Sequence, residues 1–201
     1  MALPDFQPVQ VFVFDLMSRE LSADLHYHNI GHTRSVVHAA SCLALSEGLD
    51  AEQLLLVKTA ALFHDLGFVK RYHSNEELGA DMAREFLPRF GFKKDQIEEI
   101  ATVIMATRLP QRPTTLNQRI LCDADLNHLG LDIYLRQCTA LFEELQHHGQ
   151  ALAWQDWLAD SLLFLKQHKY HTASARALRD SEKMLNIWRL EQSIQSGATS
   201  P

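Results

Sequence analysis

Three short segments of the chain carry side chains that could hold a metal ion. They are His28 and His32, the dipeptide His64-Asp65, and the pair Asp123 and Asp125. Imidazole nitrogens combined with carboxylate oxygens suit a hard or borderline divalent cation. An ion held in this way can activate water and stabilise charge on phosphoryl oxygens. Because the segments are separated by about thirty and sixty residues, the fold has to bring them together.

The dipeptide His64-Asp65 follows a stretch, residues 52–63, that is apolar nearly all round apart from Lys58 and Thr59. Such a stretch predicts a central buried helix. A charged carboxylate at the end of a buried helix is costly unless it is paired or bound to a metal. From this feature alone, a metal ligand and a solvated helix end are equally good interpretations.

His32 begins a predicted helix and shares an apolar face with Val36, one turn later. A histidine in that place can be a ligand or a satisfied core or cap residue. His28 lies four residues earlier, and a helix would put it beside His32, although Gly31 intervenes.

The two aspartates are two residues apart, so on a helix only one of them can face inward. Asp125 has Leu121 and Leu129 four residues to either side, which favours it as the inward carboxylate. Asp123 has polar neighbours at the same spacing. We expect it to meet solvent or to support the site through a hydrogen bond.

Helical periodicity dominates the rest of the chain. The apolar residues of one segment recur at helical spacing: Ile97, Ile100, Ala101, Ile104 and Met105. Further helices are predicted near 75–87, 93–106, 117–129, 132–148, 151–168 and 172–194, with a two-proline loop at 108–113. No segment shows the sustained alternation of apolar and polar residues that is typical of a β-strand. The prediction is a single, compact, all-α bundle over residues 1–195. Its metal-site core spans about 27–130, its C-terminal helices about 132–194, and a flexible tail follows at 196–201.

Composition narrows the possible partners. The chain has 201 residues, a net charge of −6 and an isoelectric point near 6.0, which argues against a nucleic-acid polymer or an anionic membrane as partner. No apolar run reaches the roughly 20 residues that span a bilayer, and the N-terminus lacks the basic start of a signal peptide. Three scattered cysteines, expected to be small buried residues, give no disulfide framework. We therefore expect a cytoplasmic protein.

Taken together, the motifs resemble those of the HD-domain superfamily of metal-dependent phosphohydrolases, whose signature is H…HD…D on an all-α core. The matching residues are His32, His64, Asp65 and Asp125. Flanking sequence is also similar to that of bacterial HD phosphohydrolases, at 27–33, 61–68, 121–130 and 164–170. The resemblance covers about residues 27–185 and implies that the four matching residues bind the metal. Mixed histidine and carboxylate ligands suit Mn, Fe, Co or Mg better than a tetrahedral structural zinc.

The spacing Tyr27-His28-Asn29-x-x-His32 is also similar to that in cyclic-nucleotide phosphodiesterases. That likeness implies His28 as the general acid that protonates the leaving oxygen. One departure concerns Asn75, which stands where related bacterial chains often have a histidine before a glutamate. We therefore expect one tightly bound metal ion and leave open a second ion bridged by Asp65 and water.

A phosphate substrate also needs cationic partners. Lys70 and Arg71 follow the HD dipeptide, and Arg108 precedes the Asp125 helix, although each could instead be a solvated surface charge. With His28 and Asp65, these three residues form the predicted catalytic set.

The function this implies is hydrolysis of a phosphomonoester or phosphodiester bond in a nucleotide or related small phosphate. Two alternatives stay open. One is a non-catalytic, metal- or nucleotide-binding regulatory module, and the other is a helical interaction protein. Homo-oligomerisation is open as well.

Overall fold

A computed structural model describes residues 3–197, and in this range the chain is helical with no strand. The all-α fold class is confirmed. The α-helices are α1 (Phe6–Glu20), α2 (Ile30–Ser46), α3 (Ala51–Phe63), α4 (Asn75–Phe86), α5 (Lys94–Met105), α6 (Leu116–Asp125), α7 (Tyr134–His147), α8 (Trp154–Gln167) and α9 (Ala173–Gln195). Of the predicted tail, Ser196 and Gly197 form a turn, and the remainder lies outside the described residues.

The helices form two compact units. The first runs up to Ser22 and continues from His28 to Asp125, and the second combines Ala23–Tyr27 with the chain from Leu126 onward. The division falls at the residue where α6 ends, close to the predicted limit of the metal-site core. The prediction of a single domain over residues 1–195 stays a prediction.

Helix α3 is the centre of the first unit, as its apolar sequence predicts. The Asp50 side chain caps its start by accepting a hydrogen bond from the Gln53 amide at 2.8 Å. From Leu55 to Phe63 every residue is buried except Lys58, whose ammonium group lies 4.0 Å from the centre of the Phe6 ring. Because α3 is surrounded by other helices along its length, the two residues that follow it, His64 and Asp65, also lie inside the unit.

Helices α2 and α6 both pack against α3 and against each other. Helix α6 is shorter than predicted. It ends at Asp125, and residues Leu126–Gly130 form a tight 3-10 turn instead of continuing the helix to 129.

Two glycines allow α4 to lie directly against the end of α3. A Cβ atom on Gly79 would lie 2.4 Å from the Phe63 carbonyl oxygen, and one on Gly67 would lie 2.1 Å from the Asn75 carbonyl oxygen. Gly67 belongs to a 3-10 turn, Leu66–Val69, that follows the HD dipeptide. Backbone therefore meets backbone at both places, and the first two turns of α4 are held against the segment that carries His64 and Asp65.

The second unit has its own apolar core. Its buried members are Leu129, Tyr134, Cys138, Leu158, Leu165, Ile187 and Leu190. The buried Asn186 side chain on α9 donates hydrogen bonds to the carbonyl oxygens of Leu129 at 3.0 Å and Leu131 at 2.7 Å. These bonds satisfy carbonyl groups of the turn that follows α6.

One expectation about the cysteines is wrong. Cys122 and Cys138 are buried, but Cys42 is exposed on α2 with its sulfur 3.7 Å from His38 Nε2. Among the described residues, no helix combines the length and apolar character needed to cross a bilayer.

Replacing Gly79 with alanine should destabilise the protein, although alanine usually favours a helix. The added methyl group would overlap the Phe63 carbonyl, and overpacking of this kind costs about 1–3 kcal/mol. Urea unfolding followed by circular dichroism measures the change. Asp81→Ala, at an exposed position of α4, is the matched control and should change the free energy of unfolding by at most about 0.5 kcal/mol. A Gly79→Ala protein as stable as wild type would contradict the close packing.

Candidate metal centre

Three helix ends deliver the predicted ligands to one place in the first unit. His32 lies in the first turn of α2, His64 and Asp65 directly follow α3, and Asp125 is the last residue of α6. The start of α2 is fixed by Asn29, whose side chain accepts hydrogen bonds from the amides of Gly31 at 2.8 Å and His32 at 3.2 Å. Two of the three helices point their carboxyl ends at the cluster, which favours a cation there.

Four ligand atoms converge. His32 Nε2 lies 3.3 Å from Asp65 Oδ2 and 3.3 Å from Asp125 Oδ1, and His64 Nε2 lies 3.1 Å and 3.6 Å from the same two oxygens. The two imidazole nitrogens are themselves 3.3 Å apart. Metal bonds of about 2.1 Å place neighbouring ligand atoms roughly 3.0–3.4 Å apart. The spacing of the cluster is therefore that of groups around a shared cation, and His32, His64 and Asp125 form a set that could hold a metal ion.

The cluster is buried and carries an unsatisfied acceptor. The side chains of His32, His64 and Asp65 are 7%, 2% and 8% exposed, and that of Asp125 is 18% exposed. Asp65 Oδ2 is buried and accepts no hydrogen bond. Such an oxygen costs free energy unless something else satisfies it. With neutral imidazoles the cluster has a formal charge of −2 from its two carboxylates, so a divalent cation would both satisfy the oxygen and cancel the charge.

A backbone contact orients His64 for this role. Its Nδ1 lies 2.9 Å from the Ala61 carbonyl oxygen, and only a protonated Nδ1 can make that hydrogen bond. In the neutral ring Nε2 is then unprotonated and directs its lone pair toward the cluster. Metal-binding histidines are commonly held by a bond of this kind.

The pKa values of all four groups are shifted. Burial by itself would lower the pKa of both imidazoles, but the nearby carboxylates of Asp65 and Asp125 outweigh it, and both pKa values are raised, that of His64 well above its usual value. Burial would raise the pKa of the two carboxyl groups, but the nearby imidazoles of His32 and His64 lower both values. The cluster therefore favours positive charge at its centre, and protons on the imidazoles supply it when no cation does.

Asp123 does not meet solvent, so that part of its prediction is wrong. It is 1% exposed. Residues 120–124 are all buried, because α6 is enclosed nearly all round at its carboxyl end. The polar residues four positions before and after Asp123 are therefore not evidence for a solvent-exposed face of α6.

His28 lies just before α2, next to the cluster rather than on a shared helix with His32. The His28 and His32 ring centres are 6.0 Å apart, and the His28 ring stacks on Phe68 with 4.3 Å between centres. The charge of His28 contributes to lowering the pKa of Asp65. Its role as general acid stays a prediction.

The basic residues take two different positions. Lys70 and Arg71 are exposed immediately after the 3-10 turn Leu66–Val69. Arg108 Nη1 donates to Glu77 Oε1 at 2.5 Å, and the Arg108 side chain is 61% exposed. That ion pair already uses part of the Arg108 guanidinium group, so a phosphate would have to share it. The roles of all three in substrate binding stay predictions.

Sequence reasoning missed one side chain at the cluster. Asn75 donates from Nδ2 to Asp65 Oδ1 at 3.1 Å. In the sequence, Asn75 stands only at the start of a predicted helix, at a place where related chains often have a histidine.

The first unit is all-α, and three of its helix ends bury two histidines and two aspartates. This arrangement is typical of a helical protein with a metal-binding site. The family model for the HD domain matches residues 29–128, which include all four cluster residues. This chain is therefore an HD-domain protein, and the resemblance noted from its motifs is confirmed. Members of this superfamily are typically metal-dependent phosphohydrolases.

Solved structures share the fold. One is a predicted HD superfamily hydrolase from an uncultured Thermotogales bacterium, with 22% identity, a TM-score of 0.63, and coverage of 97% of this chain and 94% of that one. YpgQ from Bacillus subtilis in complex with ADP has 22% identity, a TM-score of 0.64 and coverage of 94% and 97%. A Lactobacillus plantarum protein has 17% identity, a TM-score of 0.68 and coverage of 94% and 96%. Among curated proteins, the sequence finds no match.

His32→Ala should abolish stoichiometric binding of Mn(II), because it removes one of four converging ligand atoms. In wild type, Mn(II) at about 100 times its Kd should raise the free energy of unfolding by about 2.7 kcal/mol, and the variant should lose this gain. Metal analysis after dialysis and thermal unfolding with and without Mn(II) measure the two effects. His38→Ala, exposed on the same helix, should behave as wild type. Equal Mn(II) content in His32→Ala and wild type would rule out this cluster as the binding site.

Metal uptake should release protons and weaken as the pH falls. Raised imidazole pKa values mean that protons compete with the cation up to a pH above 6.5, and both imidazoles must be deprotonated to bind it. Calorimetric titration with Mn(II) in buffers of different ionisation enthalpy measures the protons released. Affinity that stays constant from pH 6 to pH 8, with no proton release, would contradict the shifted pKa values.

Proposed function

We propose that this protein is a metal-dependent phosphohydrolase that cleaves a phosphoester bond in a nucleotide or a related small phosphate. The observation that carries the proposal is the buried convergence of His32 Nε2, His64 Nε2, Asp65 Oδ2 and Asp125 Oδ1, with Asp65 Oδ2 accepting no hydrogen bond. Family membership points to the same chemistry.

The four ligands would be Asp65, Asp125 and the two histidines, and they suit Mn, Fe, Co or Mg. A divalent ion bound there would acidify a water molecule for attack on phosphorus and neutralise charge on the phosphoryl oxygens. Because the carboxylates and imidazoles stay fixed by their helices, the chain itself contributes orientation.

His28 is the proposed general acid for the leaving group. It is half-buried next to His32, and its ring stacks on Phe68. A protonated imidazole there would donate to the departing oxygen. Lys70, Arg71 and Arg108 are the candidates for binding the non-reacting phosphates.

Nucleotides are the proposed substrate class because of one neighbour. The B. subtilis protein YpgQ, which shares the fold, has been solved in complex with ADP. Its identity to this chain is 22%. The likeness therefore supports testing nucleotides as a class, and it does not single out one nucleotide. A cytoplasmic location, predicted from the sequence, agrees with this substrate class.

The proposal is tested by a panel of nucleoside mono-, di- and triphosphates, cyclic nucleotides and a chromogenic phosphodiester. Each is incubated with protein whose Mn(II) content has been measured, and inorganic phosphate, pyrophosphate and nucleoside products are resolved by chromatography. Turnover that requires Mn(II) and disappears in His64→Ala supports a hydrolase. Fully loaded protein that binds nucleotides but turns none over would instead indicate the regulatory module.

His28→Ala should keep the metal and lose most of the turnover. General acid catalysis typically contributes about 10²–10⁴-fold, so kcat should fall by at least about 100-fold for a substrate with a poor leaving group. A substrate with a good leaving group, such as the chromogenic ester, should be affected much less. Mn(II) content and kcat are measured together, with His26→Ala, an exposed neighbour in sequence, as the control. An unchanged kcat with the poor leaving group would remove the general-acid assignment.

A further inference from the structure

The two oxygens of Asp65 have different partners. Oδ2 faces the imidazoles of His32 and His64 at 3.3 and 3.1 Å, whereas Oδ1 accepts a hydrogen bond from the side-chain amide of Asn75 at 3.1 Å. A carboxylate offers acceptors only, so Asn75 must present its NH2 group rather than its carbonyl oxygen. The hydrogen bond therefore also fixes which way the amide points.

The chain holds Asn75 in that position through its backbone. Asn75 is the first residue of α4, and Ser74 before it adopts a left-handed conformation with φ of 56°. For a residue other than glycine this conformation costs about 1–2 kcal/mol, and such strain is retained where the surrounding structure requires it. Gly67 leaves room for the Asn75 backbone, since a Cβ there would lie 2.7 Å from the Asn75 Cα atom.

We propose that Asn75 is the positioning residue of the metal site: its amide occupies Asp65 Oδ1 and leaves Oδ2 alone for a single cation. This inference rests on the proposed metal-binding function. A carboxylate that bridges two ions with one oxygen on each needs both oxygens, and here Oδ1 already accepts the hydrogen bond from Asn75. Without Asn75 the carboxylate is free to rotate about its last bond, so the cation loses a fixed ligand.

The acidic residues beside Asn75 do not provide a second metal site in place of Asp65 Oδ1. Glu76 and Glu77 are the acidic residues in the first turn of α4. Glu77 Oε1 is paired with Arg108 at 2.5 Å. Glu77 Oε2 is buried without a hydrogen-bond partner, but among the described residues neither glutamate belongs to the group of side chains that could hold a metal ion. The geometry therefore gives one tightly bound ion per chain.

The test is a calorimetric titration of metal-free protein with Mn(II), together with the thermal midpoint in EDTA. Wild type should bind one Mn(II) per chain. Asn75→Leu keeps the size of the side chain but has no donor, and it should bind Mn(II) roughly 10–100-fold more weakly. The midpoint in EDTA should fall by only a few degrees, because one buried acceptor loses its donor. Asn75→Asp has the same shape but places an acceptor against Oδ1, and it should bind a second Mn(II). His73→Ala, exposed two residues earlier, is the control and should match wild type.

Two Mn(II) ions per wild-type chain would overturn the inference. So would Asn75→Leu with wild-type affinity, or Asn75→Asp with one ion bound at wild-type affinity. A lower midpoint in EDTA with unchanged Mn(II) affinity would assign Asn75 a purely structural role and overturn it too. Failure of the proposed function looks different: wild type and His32→Ala would then both take up no Mn(II).

Discussion

Two carboxylates buried beside two imidazoles are the constraint on which the rest of the first unit depends. Their charge of −2 cannot be left uncompensated at the low exposure of this cluster. Protons or a divalent cation must supply the balance, and the raised pKa values of His32 and His64 express that requirement. The enclosed α3, the capped start of α2 and the end of α6 at Asp125 all serve to hold these charges in one place.

The supporting contacts around the cluster are mostly made by backbone groups. The Ala61 carbonyl fixes the His64 ring, and the glycine contacts hold α4 against the HD segment. Backbone groups move less than side chains, so a site built on them is oriented before a ligand arrives. Two side chains also take part in this support: Asn29 caps α2, and Asn75 bonds to Asp65.

Sequence patterns predicted the helices and the candidate ligands because both depend on local spacing. The all-round apolar stretch ending at Phe63 predicts a buried α3, and the leucines flanking Asp125 predict its inward direction. What failed depends on contacts between distant segments. Asp123 is buried because other helices enclose α6, and Asn75 reaches Asp65 because Gly67 lets two backbone segments meet. Neither contact has a signature in a single sequence.

The charge balance of the cluster also bears on how tightly an anion could be held. Two carboxylates would cancel a divalent ion, so the filled site would have no net formal charge. Of the three basic candidates, Arg108 is paired with Glu77, and Lys70 and Arg71 stand in solvent, where salt screens them. Coordination of phosphate oxygens to the metal ion would then provide most of the binding free energy of a phosphate group. The affinity for a phosphate group would then depend mainly on the bound cation and little on the ionic strength.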